Sequence, residues 1–170
     1  VRSLIAAVEN TPAAPYRLMA VILYHTGVRI SDLLRLRVKD IDWTNSELHL
    51  RAGKGNKDRR VPLPCAAVQT LRAQLEVTRL EWAADARDRV PASLPDCVWN
   101  KSPSYGESWH WYFVFPSAVR TVHPDYGHTC RHHLQPESLQ AAVRRAARKV
   151  GLFGLVTPHK LRHAYASHLL

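Results

Sequence analysis

The sequence predicts a mainly helical domain with one small three-stranded antiparallel sheet, an α+β fold. Three observations predict it. Apolar residues recur at helical spacing through most of the chain, residues 38–63 alternate with a period of two, and 46% of the 170 residues are hydrophobic. A chain of this length and apolar content is typical of one domain with a single core, so we expect no internal domain boundary.

The helical spacing defines five segments and one shorter helix between them. Gly27 is expected to end the second segment, because a glycine commonly follows the last helical residue. Ser31 is expected to cap the short helix that carries Leu33 and Leu34, and Pro158 to begin the last helix. The five predicted helices cover residues 2–9, 15–25, 64–88, 136–150 and 158–170.

Alternation of apolar and polar residues predicts the sheet. VKDID, ELHLR and DRRVPL form its three strands, with turns at residues 45–46 and 53–56. Residues 91–135 follow neither period and are rich in proline and aromatic residues, and within them YFVF at 112–115 is the one strand-like stretch. A long irregular segment in a compact domain is often functional.

The charge balance indicates a polyanionic partner. The chain has 24 Lys+Arg against 14 Asp+Glu, a net charge of +10 at pH 7, and nucleic acid is the commonest partner of such an excess. A basic surface that binds nothing is the alternative. No apolar run approaches the ~20 residues that span a bilayer. Cys65, Cys97 and Cys130 are odd in number and far apart, which favours a reduced, cytoplasmic setting over a disulfide framework.

Three motifs carry a family resemblance: TGVRISDLL at 26–34, GKGNKDR at 53–59 and HKLRHAYASHLL at 159–170. At these positions the sequence resembles the tyrosine recombinase (phage integrase) family, over roughly residues 18–170. That family has an arginine after a Thr-Gly step, a lysine in a β-hairpin turn and a His-x-x-Arg box on a late helix. Each motif alone is weak, whereas the three in this order are specific. The resemblance implies the tyrosine recombinase catalytic-domain fold.

The chemistry of phosphodiester cleavage needs the residues that these motifs supply. In-line attack puts negative charge on the non-bridging oxygens, and the guanidiniums of Arg29 and Arg162 can each donate two hydrogen bonds to it. Lys54 can protonate the leaving 5′-oxygen. His159 lies three residues before Arg162 on one helix face, so it can donate to the phosphate or assist proton transfer. Asp32 can orient a guanidinium.

Each of these residues has a plainer alternative. The arginines could be surface residues, His159 could cap its own helix, and Asp32 could be a first-turn residue that the helix dipole favours. Both hairpin lysines could be solvated, and Lys54 is preferred because the family's lysine lies between the glycines. We expect further basic, aromatic and imidazole side chains to contact DNA, namely Lys57, Arg59, Arg60, Trp109, Trp111, His132, His133, Arg144 and Arg145.

The irregular segment, residues 91–135, makes the resemblance specific to one subfamily. Residues 94–96, 109–117 and 131–134 resemble an insertion of integron integrases, so we assign residues 91–135 to such an insertion. There it helps to hold extrahelical bases of folded single-stranded recombination sites, a task that suits aromatic and imidazole rings. One alternative is that the aromatics only pin the segment to the domain. Another is a zinc site among His123, His128, Cys130, His132 and His133, whose spacing matches no usual zinc pattern.

The resemblance implies a site-specific DNA recombinase that cleaves and rejoins DNA through a 3′-phosphotyrosyl intermediate. It implies no metal or other cofactor, a homotetramer on DNA, a separate N-terminal DNA-clamping domain, and a location in the cytoplasm with the nucleoid and not in the membrane. The family's nucleophilic tyrosine lies well beyond the His-x-x-Arg box, whereas Leu170 follows Arg162 by eight residues. Tyr165 is too close to the box and is expected in the core.

We therefore expect a catalytic domain without clamp or nucleophile, inactive as given. The alternative is a truncated recombinase that acts only as a DNA-binding module. A type IB topoisomerase-like enzyme would share the phosphate site, but the integron-type insertion speaks against it.

Overall fold

The structure is a computed structural model that describes residues 1–12, 14–51, 58–152 and 156–168. In the last helix it describes the side chains of residues 158, 160–162, 164 and 165. The elements of the described ranges are α1 (Arg2–Ala7), α2 (Tyr16–Thr26), α3 (Ile30–Leu34), β1 (Ile41–Asp42), β2 (Glu47–Leu50), β3 (Arg59–Pro62), α4 (Cys65–Arg87), α5 (Asp96–Trp99), β4 (Pro116–Val122), β5 (Thr129–His133), α6 (Pro136–Lys149) and α7 (Pro158–His168).

Helix α2 is the centre of the helical core. It contacts α1, α3, α4, α6 and α7, and Leu18, Met19, Ile22 and Leu23 are all buried on it. Residues three and four apart share a helix face, so this spacing turns one continuous apolar surface towards the neighbouring helices. The helix ends as predicted at Gly27, which has the left-handed conformation (φ 59°, ψ 23°) and donates its N–H to the Leu23 carbonyl oxygen at 3.0 Å.

The predicted three-stranded sheet is confirmed, with antiparallel order β1-β2-β3. Leu48 lies opposite both Ile41 and Val61 and is buried. The first strand is shorter than predicted, because residues Val38–Asp40 form a 3-10 turn. The Asp40 carboxylate fixes that turn by accepting the Arg37 backbone N–H at 3.1 Å. The predicted turn at residues 53–56 lies outside the described residues.

Two local predictions are wrong. Ser31 does not cap α3; the residue at that position is Arg29, which has extended backbone and makes no side-chain cap. YFVF at 112–115 is not a strand, because its pairing is limited to one isolated antiparallel bridge between Phe113 and Arg37 (Val38 N to Tyr112 O, 3.0 Å; Val114 N to Leu36 O, 2.9 Å). All four of its residues are buried. A continuous apolar run indicates burial without fixing the type of element.

Residues 91–135 fold against α4 and contain a second, two-stranded antiparallel sheet, β4-β5. The sequence did not predict it, because most of β4 is exposed on both faces and lacks an apolar alternation. The segment also holds α5 and two 3-10 turns, at Pro103–Glu107 and Trp109–Trp111. A small second core forms here from Ala92, Tyr112 and Phe113.

A buried ionic network ties this segment to α4. The Asp85 carboxylate accepts hydrogen bonds from Arg131 (Nε at 2.7 Å, Nη2 at 2.8 Å), from the Tyr112 hydroxyl at 2.6 Å and from Arg120 Nε at 2.8 Å. Burial alone would raise the pKa of Asp85, but the hydrogen bonds from Arg131 and Tyr112 outweigh it and the pKa is lowered. The first residue of the RHHL stretch is therefore an anchor of the segment.

No helix among the described residues has the length and apolar character that crossing a membrane requires.

Candidate functional site

A cluster of arginines surrounds the buried carboxylate of Asp32 in the first turn of α3. Asp32 Oδ2 accepts a hydrogen bond from Arg59 Nη2 at 2.7 Å, and Oδ1 accepts one from Arg35 Nη2 at 3.3 Å. Arg29 Nη1 lies 3.7 Å from Oδ2. One carboxylate thereby orients Arg29 and Arg35, which flank the two ends of α3, and Arg59 at the start of β3.

Arg162 brings α7 to the same place. Its Nη1 is enclosed and has no hydrogen-bond partner among the described residues. Burial lowers the pKa of the Arg162 guanidinium, Arg29 and Arg59 lower it further, and Asp32 raises it. These charges act on Arg162 because they lie close to it. The site therefore holds four neighbouring guanidiniums, those of Arg29, Arg35, Arg59 and Arg162, around one carboxylate. This excess of positive charge, with a donor that has no partner in the described part of the chain, suits an oxyanion.

A close contact between the first and third motifs makes this arrangement possible. A Cβ on Gly27 would lie 2.5 Å from Cδ1 of Tyr165, so glycine is needed for α7 to approach the end of α2. Tyr165 was expected in the core and is half-buried, with its ring on Gly27. The Thr-Gly step and the His-x-x-Arg helix are therefore in direct contact.

The other predicted site residues either have no described side chain or lie away from Asp32. Lys54 and Lys57 lie outside the described residues, and of His159 the structure gives only the backbone, in the first turn of α7. Arg60 is exposed on β3, with Nη1 3.8 Å from Glu47 Oε2.

Arg144 and Arg145 are exposed on α6. Arg145 lies near Glu9, where α6 contacts α1, and not in the cluster around Asp32.

A cavity of about 450 Å³ opens beside the arginine cluster, between β2 and the segment 93–133. Asp32 and Arg35 belong to the arginine cluster and also line the cavity, so the cluster and the cavity adjoin each other. The wall combines cationic with aromatic and imidazole side chains. These are Arg35, Arg37, Lys39, Arg51, Trp111, Phe113, His49, His132 and His133.

Arg37 and Lys39 contribute positive charge to this cavity, and neither was predicted as a site residue from the sequence. Arg37 is buried, donates from Nη2 to the Ser93 carbonyl oxygen at 2.8 Å, and stands 4.2 Å from the centre of the Phe113 ring. Burial lowers its pKa to about 10. The Lys39 ammonium lies over the Trp111 ring, and burial lowers its pKa to about 8. No motif marks either residue, because their burial depends on a segment more than fifty residues away.

The two predicted histidines form the opposite part of the wall. His132 Nδ1 lies 2.7 Å from Ser93 Oγ, and its ring centre is 4.1 Å from that of His133. Burial lowers the pKa of His132 to about 4, with further lowering by His133 and Arg37. Burial also lowers the pKa of His133. Both rings are therefore neutral at pH 7 and present flat, uncharged faces.

The two predicted tryptophans have different surroundings. Trp109 packs against Trp82 on α4 and Tyr112, with ring centres 5.7 and 6.5 Å apart, as a residue that pins the segment would. Trp111 lines the cavity with Lys39 on one side and is stacked with Tyr105 at 5.7 Å. Of this pair, Trp111 is the one whose position suits contact with a ligand in the cavity.

The histidines of the zinc alternative are distributed over two places. His123 and His128 stack with Trp99 and Tyr126 at the far end of the β4-β5 hairpin. His132 and His133 line the cavity. In the described part of the chain, the one group of three His, Cys, Asp or Glu side chains with ligand atoms within 4.8 Å of one another is Asp42, Glu47 and His49.

The comparisons with known proteins agree with this fold. The phage integrase family matches residues 1–170. An integrase/recombinase of Escherichia coli is 42% identical over 156 residues, which cover 91% of this chain and 46% of that protein. The crystal structure of XerA recombinase is 25% identical with a TM-score of 0.58, covering 99% of this chain and 46% of that one.

The fold also resembles that of XerH site-specific recombinase bound to palindromic difH substrate, with a TM-score of 0.58 and 23% sequence identity. That likeness covers 99% of this chain and 39% of the XerH chain. At that identity it shows the fold alone. The fold is that of a tyrosine recombinase catalytic domain, as the sequence predicted. The chain belongs to the phage integrase family. It spans less than half the length of these relatives.

Proposed function

We propose that this chain is the phosphate-binding core of a site-specific DNA recombinase that cleaves and rejoins DNA through a 3′-phosphotyrosyl intermediate. The observation that carries the proposal is the convergence of Arg29, Arg59 and Arg162 around Asp32, with Arg162 Nη1 enclosed and without a hydrogen-bond partner among the residues that the structure describes. In this proposal the scissile phosphate accepts hydrogen bonds from Arg29 and Arg162.

The arrangement suits the charge that develops during in-line attack. The tyrosine oxygen bonds to phosphorus as the bond to the 5′-oxygen breaks, and two guanidiniums stabilise the negative charge on the non-bridging oxygens. Lys54 gives the leaving oxygen its proton, and His159 donates to the phosphate or assists that transfer. Asp32 orients Arg29. Rejoining reverses these steps, so bond energy is kept in the protein–DNA link and the reaction requires no metal or high-energy cofactor.

DNA is the proposed partner, as a duplex and in folded single-stranded recombination sites. The net charge of +10 supports this partner. Lys57, Arg60, Arg144 and Arg145 would contact the phosphate backbone. The assembly proposed from the resemblance is a homotetramer on DNA, acting in the cytoplasm with the nucleoid, with the clamping domain and the nucleophile supplied by further sequence.

We also propose that residues 91–135 are an integron-type insertion that holds an extrahelical base. The supporting observation is the cavity of about 450 Å³, within the range of roughly 300–1,000 Å³ typical of ligand pockets. The neutral rings of His132 and His133 offer stacking faces, which any base can use. Trp111 would receive a base on the face that the Lys39 ammonium covers, once that side chain moves aside. Arg35 and Arg37 would accompany the phosphate of that base.

Cleavage of a nicked suicide substrate tests the recombinase proposal. In a chain extended through the family's tyrosine segment, Arg162→Ala and Arg29→Ala should each lower single-turnover cleavage by about a thousandfold. The matched control is Arg87→Ala, an exposed arginine on α4 outside the cluster, which should cleave at the parent rate. Cleavage by Arg29→Ala at the parent rate would refute the site assignment.

The alternative function is a DNA-binding module without catalysis. The same assay separates the two, because the module predicts DNA binding without a covalent protein–DNA product in the extended chain as well. Formation of that product in the extended chain would exclude the module.

A further inference from the structure

A group of three side chains on the first sheet lies outside the proposed reaction. Asp42 ends β1 and Glu47 begins β2, and the antiparallel register places them directly opposite each other. His49 follows Glu47 by two residues, so it lies on the same sheet face. The His49 Nε2 atom is 3.8 Å from Asp42 Oδ2 and 3.7 Å from Glu47 Oε2, and the ligand atoms of all three lie within 4.8 Å of one another.

Two of these ligand atoms have no hydrogen-bond partner in the described part of the chain. Glu47 Oε2 and His49 Nε2 are enclosed and make no hydrogen bond within the described residues. An enclosed polar atom without a partner is costly and calls for an explanation such as an ion. Two carboxylates opposite each other in a sheet also repel. Arg60 also approaches, with Nη1 3.8 Å from Glu47 Oε2, but its side chain is 69% exposed, so solvent weakens its contribution.

The third ligand is held in place. Asn45 donates its backbone N–H to Asp42 Oδ1 at 2.9 Å and its side-chain amide to Asp42 Oδ2 at 2.8 Å. These bonds fix the carboxylate at the start of the β1-β2 turn. A ligand oriented by neighbouring hydrogen bonds loses less freedom when an ion binds.

We propose that Asp42, Glu47 and His49 bind one divalent transition-metal ion, with Zn²⁺ as the preferred species. One imidazole nitrogen and two carboxylate oxygens form a donor set that zinc uses, with a fourth position open to water. Zinc bonds of about 2.0–2.2 Å put ligand atoms roughly 3.4 Å apart in a tetrahedron. The observed separations of 3.7 and 3.8 Å need to shorten by a few tenths of an ångström.

The proposed ion would join β1 to β2 next to the cavity. His49 also lines that cavity, and β2 pairs with β3, which carries Arg59 to Asp32. An ion on this face would therefore stiffen the sheet that positions Arg59. The site is separate from the proposed phosphate site and does not depend on it.

Binding of Co²⁺ and Zn²⁺ to the 170-residue chain tests the proposal. Because Cys65 and Cys97 are exposed thiols, the measurements use a background with Cys65→Ser and Cys97→Ser. We expect one ion per chain by equilibrium dialysis and visible Co²⁺ bands without a thiolate charge-transfer band. Zn²⁺ should also raise the melting temperature, since an ion that binds the folded state stabilises it.

Substitution of the proposed metal ligands tests whether the ion binds at this site. His49→Gln and Glu47→Gln should each weaken binding by at least about tenfold, since loss even of outer-shell partners costs that much. The matched controls His110→Gln and Glu76→Gln change exposed residues elsewhere and should bind like the parent. Absence of saturable binding in the folded parent would overturn the proposal. Binding by His49→Gln and Glu47→Gln as tight as that of the parent would also overturn it. Loss of binding in His123→Gln instead would assign the ion to the β4-β5 hairpin and overturn the proposal too.

Discussion

The ring of Tyr165 occupies the space in which a side chain on Gly27 would begin, since a Cβ there would lie 2.5 Å from Tyr165 Cδ1. Gly27 also has φ of 59°, in the left-handed region. Both constraints act at one residue, at the junction between α2 and the segment that carries Arg29. The contact therefore couples the helix of Arg162 to the loop of Arg29.

Gly27→Ala should destabilise the chain more than a left-handed conformation alone explains. The conformation costs about 1–2 kcal/mol for a residue with a Cβ, and the clash with Tyr165 adds to it. Gly151→Ala is the matched control, because Gly151 has φ of 71° and no atom of a described residue lies within 4 Å of its Cβ position. Urea denaturation measures both. Equal losses of unfolding free energy in Gly27→Ala and Gly151→Ala would show that the Tyr165 ring moves aside without a measurable cost.

Asp85→Asn should destabilise the fold by about 3–5 kcal/mol, because it leaves Arg131 buried without its counter-charge. Asp88→Asn is the control. The Asp88 side chain is 56% exposed and contacts Arg120 Nη2 at 2.6 Å, so its loss should cost under about 1 kcal/mol. Denaturant titration of both variants, with near-ultraviolet circular dichroism of the tryptophans, measures the effect. Similar costs would contradict a special role of the Asp85 network.

The hydrogen bonds to Asp85 also predict that the free energy of unfolding falls in acid. The folded-state pKa of Asp85 is lowered, so its contribution is fully present above the unfolded value of about 3.9 and is lost as pH falls through the lower folded value. Stability of the parent should therefore fall below about pH 4, and Asp85→Asn should remove part of that fall. A pH dependence of unfolding free energy that is the same in both proteins would contradict this prediction.

DNA binding should depend steeply on salt, because bound lysines and arginines release counterions. Arg60→Gln should lower the slope of log affinity against log salt by about one. Arg59→Gln removes a partner of the buried Asp32 (2.7 Å), so it should also lower cleavage in an extended chain, whereas Arg60→Gln should not. The measurements are fluorescence anisotropy over a salt series and suicide-substrate cleavage. Absence of DNA binding at low salt would refute the DNA partner.

The sequence predicted much of this architecture because its signals are local. The α2, α4 and α6 boundaries were predicted within one residue, and Gly27 was identified by its position after an apolar helix. Motif spacing also selected Arg29 and Arg162, which the structure brings close to the same carboxylate, that of Asp32. The missed features depend on long-range contacts: Asp85 meets Arg131 46 residues later, and Arg37 is buried by a segment 56 residues on, at Ser93. Neither contact leaves a periodic pattern.

Trp111 and Trp109 should respond differently to substitution. Trp111→Ala should abolish any preference for hairpin DNA with extrahelical bases over a matched hairpin without them, since stacking contributes about 1–3 kcal/mol per base. Trp109→Ala should lower stability and keep the preference, because Trp109 packs on Trp82. Competition binding at fixed salt measures the preference. Equal affinity of the parent for both hairpins would leave residues 91–135 as scaffold.

The last prediction separates proton donation from phosphate binding. In an extended chain, Lys54→Ala should slow cleavage of an ordinary phosphodiester, since the 5′-oxygen then leaves without a proton. A 5′-phosphorothiolate leaves readily without one, so it should restore cleavage by Lys54→Ala. It should not restore cleavage by Arg162→Ala, whose defect is in stabilising charge on the non-bridging oxygens. Single-turnover rates on the two substrates measure this difference. Equal rescue of Lys54→Ala and Arg162→Ala would show that the two residues do not have separate roles, and no rescue of Lys54→Ala would remove Lys54 from the role of proton donor.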